Sequence, residues 1–349
     1  MIRANILLNQ GKMSLPRMLI FEPTLRCNLD CVMCDRDKKK LIEKRKEMEL
    51  DDIKIMIENL PKTINTIYIS GGEPFVRKDI YDICKLFLDE FNTKVKILIQ
   101  TNGMFVSRVL RLTELKRVSF NLSIDGPRNI HNMMRGDNTS FDNVMNLFKL
   151  LILKGKIIST TTVISEYNLK HVVKLLEYIR DEDIKPSVMI IEYERKFSKG
   201  IIEDSAEVLG LNTDHFPVTI HKDVIPSYSF QVLRKQLEEI DKTLKTNGFK
   251  FFYLPSDLKQ KTRDYYYRKK NKNPMYCYNL SVLRVDPYGD VIPCFTIRKK
   301  FGNILKTPFV DIWNSREFRM FRQKLIKNNL APVCEACFAK STPIYTGLL

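Results

Sequence analysis

The chain predicts an α/β fold: an open, six-stranded parallel sheet forming a partial barrel, followed by a small α+β domain. Three observations predict it. Short β-type runs alternate with amphipathic helical stretches from residue 18 to about 255, chemistry-bearing residues follow the ends of those runs, and a second group of cysteines falls beyond a polar stretch near the C-terminus. The runs 18–24, 66–70, 94–101, 117–124, 156–164 and 187–193 are rich in β-branched and aromatic residues and read as strands. Helical stretches at 50–59, 78–91, 105–113, 141–153 and 169–180 lie between them. This alternation makes a parallel sheet with right-handed crossovers, and in such sheets chemistry gathers at the C-terminal strand ends.

Residues 195–226, with Gly200, Gly210, Pro217 and Pro226, read as an irregular insertion at the mouth of the barrel and a candidate substrate lid. His215 and His221 within it are expected to be surface or packing residues. A long helix at 230–247 and a β-type run at 249–254 follow. The polar stretch 259–274 is the expected boundary, dividing the chain into 1–258 and 259–349.

The net charge is +17, from 58 Lys and Arg against 41 Asp and Glu. Basic blocks lie at 38–46, 268–272 and 298–300, and Tyr265, Tyr266 and Tyr267 adjoin the second of them. That mix resembles a nucleic-acid surface, although a solvated, lysine-rich face is the favoured reading. An acidic substrate, a leader peptide or an anionic membrane surface would use the same charge. No run reaches the roughly 20 apolar residues of a membrane span, and the first residues lack the pattern of an export signal. Eight cysteines in such a chain argue for metal binding in a reducing cytoplasm rather than for disulfides.

Cys27, Cys31 and Cys34 form a C-x3-C-x2-C run directly after the first strand. A structural zinc site closes with four protein ligands, and a redox pair needs two thiols. Three thiolates suit a four-iron cluster with one iron open to a small molecule. After the second strand comes Ser70-Gly71-Gly72-Glu73-Pro74. Together these motifs resemble the radical S-adenosylmethionine (SAM) superfamily, with Met33 at the apolar position of its cysteine signature. The resemblance implies a partial (β/α)6 TIM-like barrel. It also implies a 4Fe–4S cluster that chelates SAM and cleaves it to a 5'-deoxyadenosyl radical, which takes a hydrogen atom from the substrate.

Carried over residue by residue, Cys27, Cys31 and Cys34 would ligate the cluster, while Gly71, Gly72 and Glu73 would form the loop facing the SAM amino group. Asn102, in Gln100-Thr101-Asn102-Gly103 at the third strand end, would lie near the cofactor or simply form a turn. Leu122-Ser123-Ile124-Asp125-Gly126, followed by His131 and Arg135-Gly136, resembles the subgroup with C-terminal cluster domains. There Ser123 would bond the ribose and Arg135 the SAM carboxylate, a match for the guanidinium fork. Asp125 is expected to fix a turn or lie near substrate, and His131 to be structural. The family's glycine-containing fifth-strand element is absent, with Thr160-Thr161-Thr162 in its place.

Cys277, Gly289 and Cys294 follow a C-x11-G-x4-C spacing, and Cys334-x2-Cys337 comes later. This resembles the SPASM and twitch auxiliary-cluster domains, with residues 286–290 as the turn of a hairpin carrying a cysteine at each end. Cys277, Cys294, Cys334 and Cys337 make one complete ligand set, as in a twitch domain of the aminocyclitol alcohol dehydrogenase type. No cysteine follows Cys337, so the longer SPASM pattern is incomplete. A zinc ion is the competing occupant. Cys84, in an apolar helical run, reads as a small hydrophobe.

Two 4Fe–4S clusters and SAM are therefore the expected cofactors. A fully ligated second cluster favours oxidation of the substrate radical, as in dehydrogenation. The substrate is a small molecule or a peptide, and the electron donor a ferredoxin or flavodoxin. The short segment before the first strand weighs mildly against a peptide-modifying maturase that forms crosslinks, thioethers or epimers. Two rivals stand: a zinc-stabilised basic nucleic-acid-binding protein, which would not account for the Gly71–Pro74 loop, and a cluster-binding scaffold without SAM cleavage.

Overall fold

The computed structural model describes residues 10–91, 95–267, 276–335 and 337. One open sheet of eight parallel strands runs in the order β7-β6-β5-β4-β3-β2-β1-β8. The strands are β1 (Met18–Thr24), β2 (Thr66–Gly71), β3 (Lys96–Thr101), β4 (Val118–Ser123), β5 (Ile158–Ile164), β6 (Val188–Tyr193), β7 (Phe251–Leu254) and β8 (Leu283–Val285). The six expected strands are present within two residues of the expected bounds. Parallel strands covered on both faces read as near-continuous apolar runs, and β1 is buried at all 7 positions.

The crossovers that return the chain are α1 (Leu50–Asn59), α2 (Ile80–Glu90), α3 (Val106–Arg111), α4 (Arg128–Arg135), α5 (Ser140–Leu153), α6 (Val172–Asp181), α7 (Lys199–Leu209) and α8 (Phe230–Thr246). A reciprocal capping box of Glu49 and Asp52 starts α1, satisfying donors that a helix start leaves free. In α2 the buried stripe of Ile83, Cys84 and Phe87 packs on the sheet, and Phe87 meets Phe21 edge-on at 5.6 Å. Burial pushes the Cys84 thiol well above its ordinary range, which suits the packing role.

Two elements differ from expectation. The sheet is wider than six strands, because β7 continues it and β8, from the C-terminal segment, pairs with β1 through Leu19, Ile20 and Phe21. Without β8, β1 would present an unpaired edge. The expected hairpin around 286–290 shrinks to one antiparallel bridge, Val285 to Val291. Its turn is held by the Asp286 carboxylate, which accepts from the Tyr288 and Asp290 N–H groups at 2.9 and 3.0 Å.

The insertion is not irregular throughout, since it contains α7. Ser198 caps the Ile201 N–H, and Gly210, at φ +64°, closes the helix. Farther on, the Asp37 N–H donates to Pro217 O at 3.1 Å and the Thr219 N–H to Asp35 O at 2.9 Å. The insertion therefore lies against the loop that carries Cys34.

The C-terminal helix α9 (Arg316–Lys327) packs over the N-terminal segment. Trp313 Nε1 donates to Ser14 O at 3.0 Å. Members of two of the basic blocks form internal ion pairs: Arg45 with Asp290 at 2.5 Å, Arg298 with Glu22 at 2.8 Å and Lys300 with Glu43 at 2.8 Å. The block at 268–272 lies outside the described residues. Tyr265 and Tyr266 are buried in the core rather than presented as a stacking surface. No helix among the described residues is long and apolar enough to cross a membrane.

Candidate active site

A cavity of about 290 Å³ opens at the C-terminal ends of β1 to β6. Its wall contains Cys27, Cys31 and Cys34, together with Met33, Gly71, Gly72, Glu73, Asn102, Ser123 and Arg135. The cysteine loop is closed by the Cys34 N–H, which donates to Cys31 O at 3.1 Å, and tied to the last turn of α4 by the Val32 N–H, which donates to Met134 O at 2.9 Å. Lys38 braces the loop by pairing with Asp30 at 2.9 Å.

The glycine pair is required by the neighbouring backbone. A Cβ on Gly72 would stand 2.0 Å from Arg26 O, and one on Gly71, at φ +116°, 2.4 Å from Thr24 O. The loop sits that close because the Gly72 N–H donates to Thr24 O and the Glu73 N–H to Arg26 O, both at 2.9 Å. Glu73 then reaches across to β3. Its carboxylate accepts from Thr101 Oγ1 at 2.8 Å, from the Asn102 N–H at 2.7 Å and from the Phe75 N–H at 3.1 Å. Burial outweighs these donors and pushes the carboxyl up to about 7. Asn102 is bonded at both ends of its amide, with Nδ2 donating to Asn28 at 2.9 Å and Oδ1 accepting from the Met104 N–H at 3.0 Å.

At the end of β4, Ser123 Oγ accepts from Gln100 Nε2 at 2.8 Å. Gln100 Oε1 accepts from Tyr68 at 2.8 Å and from Asn121 at 2.7 Å, and Asn121 donates to Thr161 at 2.9 Å. These side chains form a polar belt inside the barrel. Asp125, fully buried, holds Arg135 through Nε at 2.7 Å and accepts the Val163 N–H at 3.0 Å. That pairing aims Arg135 Nη1 at Cys31 Sγ, 3.7 Å away. His131 accepts the Asp125 N–H at 3.1 Å. Burial and the nearby Arg135 lower its pKa to about 4, so it is a neutral packing group.

On the opposite wall Glu22 is buried among Arg284 and Arg298, each at 2.8 Å, and Arg36 at 3.5 Å. Burial opposes its ionisation, yet Arg298, Arg36 and Arg284 hold the carboxyl down to about 2. Arg195 lies over the Phe295 ring at 4.2 Å and pairs with Asp35 at 2.8 Å. Burial pushes the Glu192 carboxyl up to about 7 against the pull of Arg195.

The structure brings Cys277, Cys294, Cys334 and Cys337 close enough to act on one another electrostatically. Burial, then the neighbouring thiols, pushes the Cys277 and Cys334 groups well above the ordinary range. Thiolates so placed need a coordinated cation. A single zinc ion bonds thiolates at about 2.3 Å, which puts the sulfurs roughly 4 Å apart. Among the described residues, no three of these sulfurs lie within 4.8 Å of one another. Four thiolates are the number that ligates a 4Fe–4S cluster with one thiolate to each iron.

Comparison with known proteins agrees. Residues 21–179 match the model of the Radical SAM superfamily, and residues 277–338 match an iron–sulfur cluster-binding domain, SPASM. The chain carries a radical SAM domain followed by a SPASM domain. It is 25% identical over 346 residues to an AdoMet-dependent heme synthase of Methanosarcina barkeri, covering 92% of this chain and 88% of that protein. It is 26% identical over 192 residues to an Fe-coproporphyrin III synthase of the same organism, covering 54% and 47%. Among solved structures, Streptococcus suis SuiB aligns with a TM-score of 0.66 at 15% identity, over 96% of this chain and 75% of that one. At that identity the likeness shows the fold. Two 4Fe–4S clusters and SAM are the cofactors of this radical SAM enzyme.

Sequence reasoning brought the three cysteines and all seven candidate cofactor residues to this one cavity. It missed Gln100 and Asn121, and the charged wall of Glu22, Arg36, Arg195 and Arg284. Glu22 carried a signal, since a carboxylate inside the apolar run of β1 needs a buried partner.

Proposed function

We propose that this radical SAM enzyme oxidises a substrate held in the cavity between its two cysteine sets. Cys27, Cys31 and Cys34 hold the SAM-binding cluster, and Cys277, Cys294, Cys334 and Cys337 hold the auxiliary one. When bound, these groups supply the 5'-deoxyadenosyl radical and an acceptor for the electron that the substrate radical gives up. The residues around them do the positioning. The Gly71–Gly72 backbone shapes the floor, and Met33, Glu73, Asn102 and Ser123 line the SAM side. Arg135, fixed by Asp125, holds its Nη1 beside Cys31 and so keeps a positive charge next to the first cysteine set. The walls keep water and stray hydrogen donors from the radical. The observation that carries this reading is the cavity itself, with one cysteine set in its wall and Cys294 and Cys337 of the other within electrostatic reach of Arg195, which lines the same cavity.

The likeness to the heme synthase, which extends over most of both chains, supports an iron porphyrin or its precursor as the substrate class. A peptide substrate rests on fold likeness alone. The charge of +17 suits an acidic electron donor such as a ferredoxin or flavodoxin. A reducing cytoplasm suits eight cysteines that include no disulfide among the described residues. The C-terminal cluster region is taken as 259–349, although β8 within it belongs to the main sheet.

The test is anaerobic reconstitution of the wild type and of a Cys27→Ala/Cys31→Ala/Cys34→Ala variant. Two clusters give about eight irons in the wild type and about four in the variant. Dithionite-driven formation of 5'-deoxyadenosine from SAM is expected in the wild type alone. Zinc in place of iron, with no SAM cleavage, sinks the proposal.

A further inference from the structure

Glu22 offers two oxygens to three arginines. Oε1 takes Arg284 Nη1 and Oε2 takes Arg298 Nη1, both at 2.8 Å, leaving Arg36 a single approach at 3.5 Å. Arg36 Nη1 and Arg284 Nε are buried and have no acceptor among the described residues. Buried donors of this kind are destabilising until an acceptor arrives. Both side chains line the cavity. Both guanidinium carbons lie over the Phe295 ring, at 5.8 and 5.6 Å. Stacking uses the flat face of a guanidinium and leaves its N–H edge for an acceptor in the plane. The wall also has the right address. Arg36 is two residues beyond Cys34, and Phe295 directly follows Cys294, so the donors stand between the two cysteine sets.

Other charges on this wall are committed elsewhere. Asp35 pairs with Arg195 at 2.8 Å, and Glu192 approaches Arg195 at 3.8 Å. Glu22 is saturated. No carboxylate among the described residues completes the Arg36 fork.

We propose that Arg36, backed by Arg284, is the anchor for a carboxylate of the substrate. Planar, paired N–H groups match a carboxylate edge-on. The anchor holds the substrate by the wall of the cavity that carries Phe295. It deepens the function proposed above and rests on it: a porphyrin with carboxylate side arms has the required charge and a flat body to lie along the aromatic wall.

Equilibrium dialysis tests this without turnover. Reconstituted wild type, Arg36→Gln and Arg36→Lys are dialysed anaerobically against coproporphyrin III, against its tetramethyl ester, and separately against SAM. Wild type should bind the acid at least about ten-fold more tightly than the ester. Arg36→Gln should lose about ten- to a hundred-fold for the acid, as removal of one member of a buried charged pair does. Its SAM affinity should move by less than about two-fold, and Arg36→Lys should recover part of the loss. Equal binding of acid and ester, no binding of the acid by wild type, or a loss in Arg36→Gln that falls on SAM instead would each overturn the anchor. The last outcome would make Arg36 a ligand of the SAM carboxylate. Tight, Arg36-dependent binding of the acid by a protein that never forms 5'-deoxyadenosine would sink the radical reaction and leave the anchor standing.

Discussion

Replacing Glu22 by glutamine removes the charge around which three arginines are arranged. The carboxyl sits at about 2 in the folded protein against an ordinary 4.5. At about 1.4 kcal/mol per decade, that depression makes the ionised group worth about 3 kcal/mol to the fold. The variant is left with Arg36, Arg284 and Arg298 around a neutral amide, and uncompensated buried charge carries a cost of the same order. The sign of the pH dependence follows from the depressed value. The contribution is fully present above 4.5 and is lost only as pH falls from there toward 2. Between pH 8 and 5 the gap between wild type and Glu22→Gln should therefore stay nearly constant.

Anaerobic urea unfolding of the reconstituted proteins measures the gap. Fluorescence of the single tryptophan is a suitable probe, because Trp313 lies in the C-terminal region that Arg284 and Arg298 tie to β1. A gap below about 0.5 kcal/mol would refute the reasoning. So would a change of more than about 1 kcal/mol across that pH window, since no titration of Glu22 occurs there.

Two further outcomes follow from the loop between β2 and α2. Gly72→Ala places a methyl 2.0 Å from Arg26 O, a contact with backbone that no rotamer relieves. The loop should lift from the cysteine segment, and reconstitution should yield about half the wild-type iron, with the auxiliary cluster retained. Glu73 runs opposite to Glu22, since burial pushes it up to about 7. The folded state holds its proton more tightly, so wild-type stability should fall relative to Glu73→Gln as pH rises from 5 to 7, by about 2 kcal/mol. A flat difference in urea midpoints across that range would contradict the burial argument.

The barrel was legible because its strands are buried on both faces and so spell near-continuous apolar runs, as in Met18 to Phe21 of β1. The cysteine loop and the Gly71–Glu73 turn were legible because each is a local sequence with a chemical meaning. Gly200 made the insertion read as coil, yet it falls in the first turn of α7, between the Ser198 cap and the Gly210 stop. A serine and a glycine at those positions were the signal for a helix. The three residues of β8 were too short to separate from a hairpin arm. The arginine wall was beyond reach for another reason. Glu22 in an apolar run announces a buried partner, but Arg36, Arg195, Arg284 and Arg298 come from separate segments, and nothing in their local patterns says which of them it will be.

The pairing of β8 with β1 also bears on how such a site holds its geometry. β1 ends at Thr24, three residues before Cys27, and β8 ends at Val285, nine before Cys294. The two cysteine sets thus hang from adjacent strands joined by a backbone ladder at Leu19, Ile20 and Phe21. Glu22, the next residue, clamps the same two strands through Arg284. Hydrogen bonding between strands and a buried ion pair therefore act at one place, and slippage of one strand by a single residue would turn Arg284 to the other face of the sheet. A separate domain docked by surface contacts would let the second set drift relative to the first. A shared sheet fixes both sets against each other, which the proposed transfer of an electron from the substrate to the second set would require.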